Sequence, residues 1–190
     1  NKKLTHLPQA ITSRNTGVDL VLDWFCSIQS NTSAIERRAS SIGSRRSIKK
    51  QHQAAWLLQA VKCMDLTTLS GDDTTGRVRR LCAKAKNPIS KTILEKLGLD
   101  SIKVGAVCVY HDMIGAAVSK LRGTGIPVAS VSTGFPAGLS PLPLRIAEIE
   151  YSVSAGASEI DIVISRRHVL TQNWKALYDE VKDFRKACGS

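Results

Sequence analysis

The feature of this sequence that most constrains its fold is a regular alternation of strand-like and helix-like segments over the C-terminal two thirds of the chain. Short runs rich in β-branched residues predict strands, and apolar residues spaced three or four apart predict helices. Strands that alternate with helices indicate a parallel sheet with right-handed crossover connections. The predicted strands lie at about residues 62–66, 104–110, 127–133 and 159–165, and the predicted helices follow residues 72–74 or lie at about 111–122, 143–154 and 173–187.

Four strand–helix units leave two parallel architectures open. A flavodoxin-like open sheet would accommodate them, but no glycine-rich phosphate loop follows the first strand. A (β/α)8 barrel typically needs about 250 residues, and this chain has 190. The sequence therefore predicts the α/β class and the (β/α)8 TIM-barrel family, with about four βα units that form half a barrel after N-terminal helices. We predict an N-terminal basic helical extension at residues 1–55 and the half barrel at residues 56–190.

The N-terminal region is strongly basic. Residues 1–60 contain nine Lys/Arg and three Asp/Glu in a chain of formal net charge +11, and residues 36–50 concentrate this charge. We interpret the basic run as a solvated arm. Nucleic-acid binding is the alternative interpretation, but no aromatic residues interleave the basic ones. The predicted local structure is irregular at residues 1–17 and helical at about 18–30, 33–41 and 49–60.

Two serines in the basic run lie in a pattern typical of protein-kinase substrates. Ser40 and Ser47 each follow a pair of arginines. Because patterns this short also arise by chance, the sequence alone leaves both serines as candidate modification sites.

The cysteines indicate a reducing compartment. Their number is odd, no two have CxxC spacing, and no Cys/His cluster suggests zinc. We therefore predict free thiols, a cytoplasmic or alternatively nuclear location, and neither a metal nor a cofactor. No run approaches the roughly 18 apolar residues of a membrane-spanning helix, and no signal peptide opens the chain, so we predict no membrane association. The five cysteines are Cys26, Cys63, Cys82, Cys108 and Cys188.

Two aspartates interrupt strand-like runs. Asp65 follows an apolar run in AVKCMDLTTLS, and Asp161 lies inside GASEIDIVIS. Side chains alternate between the two faces of a strand, so a barrel would collect Asp65, Thr67, Cys108 and Asp161 in one interior, toward the catalytic end. A carboxylate buried there is costly unless it is paired or hydrogen-bonded. A salt bridge or cap would explain one such aspartate, whereas two on matching faces favour proton transfer.

The sequence shows no clear nucleophile beside these aspartates. A Schiff-base mechanism needs an interior lysine, but Lys62 is predicted on the opposite face from Asp65, and Lys103 at the wrong end of its strand. Cys108 with His111 is one nucleophilic pair that the spacing permits. A small buried thiol is the more common role of such a cysteine.

These segments resemble the deoxyribose-phosphate aldolases, especially the animal members, from about residue 18 to the end of the chain. The resemblance implies a class I (β/α)8-barrel aldolase that reversibly cleaves 2-deoxyribose 5-phosphate to glyceraldehyde 3-phosphate and acetaldehyde without a metal. It implies that Asp161 shuttles protons, that Asp65 joins the same relay, and that Thr67 and Cys108 lie at the substrate. The motifs that carry it are AAWLLQAVKCMDLTTLSGDDT, AVCVY, IPVASVSTGFPAG, GASEIDIVIS and WKALYDEVKDFRKACG.

The chain also departs from the family pattern. The family's KTSTG and KPAGG motifs, which carry its Schiff-base lysine and a second lysine, are missing, and so are the last two strands with their phosphate loops. His111 stands where a proline is usual and Ser165 where an asparagine is usual, and both are expected to border the site. Strand parity places Ser165 on the same face as Asp161. We therefore expect a fragment, the first half of an aldolase, that is inactive alone. Its expected partners are a sugar-phosphate substrate and either further copies of itself or a complementing second half. A non-catalytic binding or scaffold protein that kept the half barrel is the alternative.

Overall fold

The computed structural model describes residues 17–26, 28–45 and 47–189. Three helices precede the first strand: α1 (Asp23–Cys26), α2 (Thr32–Ile42) and α3 (Lys50–Lys62). The predictions of α2 and α3 are confirmed. The helix predicted at 18–30 is wrong except for the single turn of α1, and nearly all of the irregular segment predicted at 1–17 lies outside the described residues. Helix α3 runs through residue 55 without interruption, so the division of the chain there stays a prediction.

The remaining elements follow the predicted alternation. Two short helices, Lys91–Leu97 and Arg166–Leu170, were not predicted. The strands are β1 (Asp65–Thr67), β2 (Ala106–Val109), β3 (Val128–Val131) and β4 (Glu159–Asp161). The helices are α4 (Thr75–Lys86), α5 (Lys91–Leu97), α6 (Ile114–Leu121), which follows a 3₁₀ turn at His111–Met113, α7 (Leu142–Ser154), α8 (Arg166–Leu170) and α9 (Trp174–Ala187).

The four strands form one parallel sheet in the order β1-β2-β3-β4. The register sets Thr67 opposite Cys108, and Val131 opposite Asp161. Sequential order with a helical crossover between neighbouring strands is the arrangement of a (β/α)8 barrel, here as a partial barrel. The predicted fold class is thus confirmed.

One face of the sheet packs against α4 and α6 and forms the main core. Val107 and Val109 of β2 are fully buried there, beside Val78 of α4 and Ile114 of α6. β-Branched residues suit this position because they pack well on a pleated surface, and burying each such side chain contributes about 1.5–3 kcal/mol. The opposite face, which carries Asp65 and Asp161, is hereafter called the interior face.

All four strands are shorter than predicted. Lys62 ends α3 instead of opening β1, because the Cys63 amide donates to the Ala60 carbonyl in the last helical turn. Strand β4 ends at Asp161, four residues earlier than predicted. None of the described helices is long and apolar enough to cross a membrane.

Candidate active site

The interior face brings four side chains from three strands together. Asp65 and Thr67 lie on β1, and Cys108 lies opposite Thr67 on β2. The Cys108 thiol donates a hydrogen bond to Oδ2 of Asp161, with 3.4 Å between Sγ and the oxygen. β3 lies between these two strands, yet it presents only Ala129 and Val131 on this face. Because these two side chains are small, the thiol on β2 can reach the carboxylate on β4.

Cys108 stays a neutral thiol in this position. Burial raises its pKa to about 12, and the hydrogen bond and negative charge of Asp161, with the charge of Asp65, act in the same direction; a hydrogen bond with Thr67 opposes them. A thiol with this pKa is a hydrogen-bond donor near neutral pH and not a nucleophile. The hypothesis that Cys108 and His111 form a nucleophilic pair is therefore wrong. The Nδ1 atom of His111 instead lies 3.4 Å from Oε1 of Glu148.

We expect thiol reagents to discriminate between the cysteines of this chain. At neutral pH the thiolate fraction of Cys108 should be about a thousandfold below that of an ordinary cysteine. Iodoacetamide should therefore alkylate the exposed Cys63 at least about a hundredfold faster than Cys108, as followed by peptide mass spectrometry. The variant Asp161→Asn should speed the alkylation of Cys108. Equal labelling rates for Cys63 and Cys108 would contradict this assignment.

The carboxylates themselves are exposed. Asp65, Glu159 and Asp161 all lie on strand positions open to solvent, because the described strands leave the interior face uncovered. The expectation of a buried carboxylate is therefore wrong for this chain. Partial desolvation against the sheet, followed by the negative charges of Asp65 and Asp161, raises the pKa of Glu159 although the residue is exposed. Three carboxylates on one face repel each other, and such a cluster favours a cationic partner.

Glu159 is a member of this face that the sequence analysis did not single out. It lies opposite Ala129, one row nearer the N-terminal end of the sheet than Asp161. The signal was present in the sequence, because Glu159 and Asp161 are two residues apart and side chains at that spacing share a face of a strand.

No amine from the described part of the chain is placed on the interior face. Lys103 lies before β2, where its Nζ donates to the Thr124 carbonyl at 2.6 Å. Lys62 ends α3, so the prediction that it lies on the first strand is wrong. As predicted, neither Lys62 nor Lys103 is placed to serve as the interior amine. Among residues 17–26, 28–45 and 47–189, no group of three or more His, Cys, Asp or Glu side chains could hold a metal ion.

Thr133 holds together the chain segments that follow β3 and β4. It is fully buried, with a left-handed φ of 60°. Its hydroxyl oxygen accepts a hydrogen bond from the Val163 amide and lies 3.0 Å from the Val163 carbonyl. The Ser132 amide donates to the Asp161 carbonyl at 2.9 Å. This bonding turns the chain out of the β4 strand after Asp161 and fixes the backbone of that residue.

A buried ion pair lies behind the same loop. Arg145 of α7 and Glu180 of α9 approach to 2.6 Å, with side chains 7% and 5% exposed. Glu180 also accepts from the Ser165 amide at 2.7 Å and from the Ser165 hydroxyl. Burial acts to raise the pKa of Glu180, but hydrogen bonds from Ser165 and the charge and hydrogen bond of Arg145 outweigh it, so the pKa is lowered.

This network changes the interpretation of Ser165. Strand parity places it on the interior face with Asp161, but the strand ends before Ser165 and its hydroxyl points to Glu180. Ser165 is therefore a structural contact that anchors the β4–α8 segment, and its expected place bordering the interior face is wrong.

Comparisons with known proteins agree with this architecture. Residues 59–190 match the model of the DeoC/LacD family aldolases. A deoxyribose-phosphate aldolase of Mus musculus is 55% identical over 177 residues, which cover 91% of this chain and 56% of that protein. The chain thus spans little more than half the length of this curated relative.

Solved structures show the same fold. A putative deoxyribose-phosphate aldolase from Coccidioides immitis superimposes with a TM-score of 0.57 at 21% identity, over 84% of this chain and 58% of that one. The deoxyribose phosphate aldolase from Aeropyrum pernix, described as a unique tetramer, gives a TM-score of 0.50 at 21% identity, over 84% of this chain and 57% of that one. This chain therefore matches a little more than half of each of these two longer chains.

Proposed function

Because the chain belongs to the DeoC/LacD family of aldolases, we propose that it supplies the proton-handling half of a class I aldolase site. The proposed reaction is the reversible cleavage of 2-deoxyribose 5-phosphate to glyceraldehyde 3-phosphate and acetaldehyde. The observation that carries the proposal is the Cys108–Asp161 hydrogen bond on the interior face, beside Asp65 and Thr67. Active sites of such barrels lie at the C-terminal ends of the strands, and Asp161 is the last residue of β4.

The proposed roles follow from the chemistry of the side chains. The proposed Schiff base between a lysine and the substrate is an iminium at C1. During cleavage, Asp161 accepts the proton of the substrate's C3 hydroxyl, directly or through a water. The C2–C3 bond then breaks, and its electrons move toward the iminium. The enamine that remains on C2 then takes a proton back. Cys108 donates to Asp161 and orients it, while Asp65 extends the relay and Thr67 contacts the substrate.

The amine and the phosphate site are proposed to lie in a part of the barrel that this sequence does not include. The interior face carries three carboxylates and, among the described residues, no lysine. The KTSTG and KPAGG motifs are absent from the 190 residues. A lysine entering this face would compensate the carboxylates, and its Schiff base would form there. The substrate is thus proposed to bind only when the barrel is completed by further chain or by a complementing partner.

Borohydride trapping tests this division of the site. We compare the chain of 190 residues with the same chain joined at its C-terminus to the remaining part of the Mus musculus relative, hereafter the joined chain. With acetaldehyde and borohydride, the joined chain should gain a reduced ethyl adduct on one lysine beyond residue 190. The shorter chain should gain none above the level of its surface lysines, as mapped by peptide mass spectrometry.

Two results would count against the proposal. A stoichiometric adduct on one lysine of the shorter chain would show that an amine in residues 1–190 forms the Schiff base. No adduct on the joined chain would leave the non-catalytic binding role as the surviving alternative. Deoxyribose 5-phosphate should compete with acetaldehyde for the lysine of the joined chain, which separates it from surface modification.

A further inference from the structure

We propose that Ser40 is a phosphorylation site for a serine kinase that recognises basic sequences. Ser40 lies in the sequence Arg37-Arg38-Ala39-Ser40. Kinases of this class hold arginines two and three residues before the acceptor serine in acidic pockets, where each guanidinium can form paired hydrogen bonds with carboxylates. Ser47 lacks this spacing, because its two arginines precede it directly.

The structure leaves this segment accessible to a kinase. Ser40 and both arginines are exposed on helix α2, and no residue of that helix is buried. Even Ile35 and Ile42 are 58% and 62% exposed. An isolated helix of this length is marginally stable in water, so α2 can unwind into the extended form that a kinase binds at little cost in free energy.

Hydrogen bonding distinguishes Ser40 from its neighbouring serines. The Ser41 hydroxyl donates to the Arg38 carbonyl at 2.8 Å and accepts from Nε of Arg45 at 3.1 Å. The Ser44 hydroxyl donates to the Ser41 carbonyl at 3.0 Å. Within the described ranges, the Ser40 hydroxyl makes no hydrogen bond. Binding of Ser40 in a kinase active site therefore breaks no hydrogen bond of this hydroxyl to those residues.

The chemistry of the step balances with ATP as the phosphoryl donor. The Ser40 Oγ forms a bond to the γ-phosphorus, the bond from that phosphorus to the bridging oxygen breaks, and ADP leaves. The hydroxyl proton passes to the kinase's carboxylate base.

The modification would act on the basic run that surrounds it. Residues 36–50 contain six Lys/Arg and one Asp/Glu, and a phosphoserine adds about two negative charges. The phosphate would lie in the last turn of α2, where the helix dipole disfavours a negative charge. Phosphorylation should therefore lower the helicity of α2 and weaken any attraction of the basic run for anionic partners.

The test uses the purified chain, magnesium-ATP and the catalytic subunit of cyclic-AMP-dependent protein kinase. Phosphoryl incorporation should map to Ser40 and fall at least tenfold in Ser40→Ala. The Arg38→Ala variant should lower the rate at least tenfold, and the matched variant Ser47→Ala should leave it unchanged. Because Ser40 is exposed and bonds to no described residue, circular dichroism of Ser40→Ala should match that of the unmodified sequence.

Clear results would overturn the proposal. The proposal is wrong if the unmodified chain incorporates no phosphate, or if Ser40→Ala incorporates as much as the unmodified chain. It is also wrong if Ser47→Ala lowers phosphate incorporation as much as Ser40→Ala does. This assay reads the kinase reaction alone, so its outcome is independent of the proposed aldolase function.

Discussion

Replacing Glu180 with alanine is expected to lower the free energy of unfolding by about 3–5 kcal/mol, because the variant leaves the Arg145 guanidinium buried without its charge partner. The two side chains are 5% and 7% exposed and 2.6 Å apart. Two guanidinium nitrogens of Arg145, Nε and Nη1, already lack a hydrogen-bond partner in the described structure. Loss of Glu180 also leaves the Ser165 amide without its acceptor, which adds to the destabilisation.

Urea denaturation followed by circular dichroism measures this effect. The matched control is Asp179→Ala, which removes the neighbouring residue of the same helix from an ion pair with Lys175 at 2.7 Å. That pair is exposed, with side chains 75% and 51% accessible for Lys175 and Asp179, so its loss should cost less than about 1 kcal/mol. Equal losses for the two variants would contradict the account of the buried pair.

The dependence of the unfolding free energy on pH, under acidic conditions, gives a second measure of the contribution of Glu180. The folded-state pKa of Glu180 is lowered, so its ionised form stabilises the fold above the pKa of glutamate in the unfolded chain. That contribution should be lost as the pH falls through the folded-state pKa. In Glu180→Gln, the unfolding free energy should therefore depend less steeply on pH over this acidic window.

Replacing Asp161 with asparagine is expected to lower aldolase turnover by the joined chain about 10²–10⁴-fold, the usual contribution of a positioned acid–base group. An amide keeps the shape of the side chain and can still accept from the Cys108 thiol, but it cannot take up the substrate's proton. The backbone should stay in place, because the Ser132 amide bonds to the Asp161 carbonyl and not to its side chain. The lost activity should therefore reflect chemistry and not folding.

Strand parity was sufficient to predict that four side chains share the interior face, although it failed for Ser165, which lies beyond the end of β4. Asp65, Thr67, Cys108 and Asp161 converge because alternation within a strand is a local property, and a parallel register carries it across the sheet. Their roles in catalysis stay predictions. These four side chains share one face even though β1 and β4 are only three residues long and shorter than predicted.

Features set by tertiary contacts could not be predicted from the sequence. Arg145 and Glu180 pair across 35 residues, and no local pattern signals that contact. The end of β4 depends on the buried hydroxyl of Thr133, which binds Val163 thirty residues away. Residues 18–30 were predicted as a helix, yet two of them instead contact α9: Phe25 stacks on Trp174 with 5.3 Å between ring centroids, and the Val18 carbonyl accepts from the Tyr178 hydroxyl at 2.9 Å.

Short elements were missed for a related reason. Helices α5 and α8 have seven and five residues, too few to display the helical repeat on which sequence-based assignment depends. The 3₁₀ turn at His111–Met113 was likewise merged into the following helix. Their stability comes from neighbouring helices and local caps and not from a sequence repeat: α8 and the 3₁₀ turn pack against other helices, and Gly98 ends α5 in the left-handed conformation.

The most direct test of the central claim is the rate of 2-deoxyribose 5-phosphate cleavage by the joined chain, compared among Asp161→Asn, Glu159→Gln and the unmodified sequence. Both substitutions neutralise a carboxylate on the interior face of β4, but Glu159 lies one row farther from the C-terminal end of the sheet. We predict a loss of about 10²–10⁴-fold for Asp161→Asn and a change of less than about tenfold for Glu159→Gln. Turnover by Asp161→Asn equal to that of the unmodified joined chain, or equal losses in both variants, would contradict the assignment of Asp161 as the proton-transfer group.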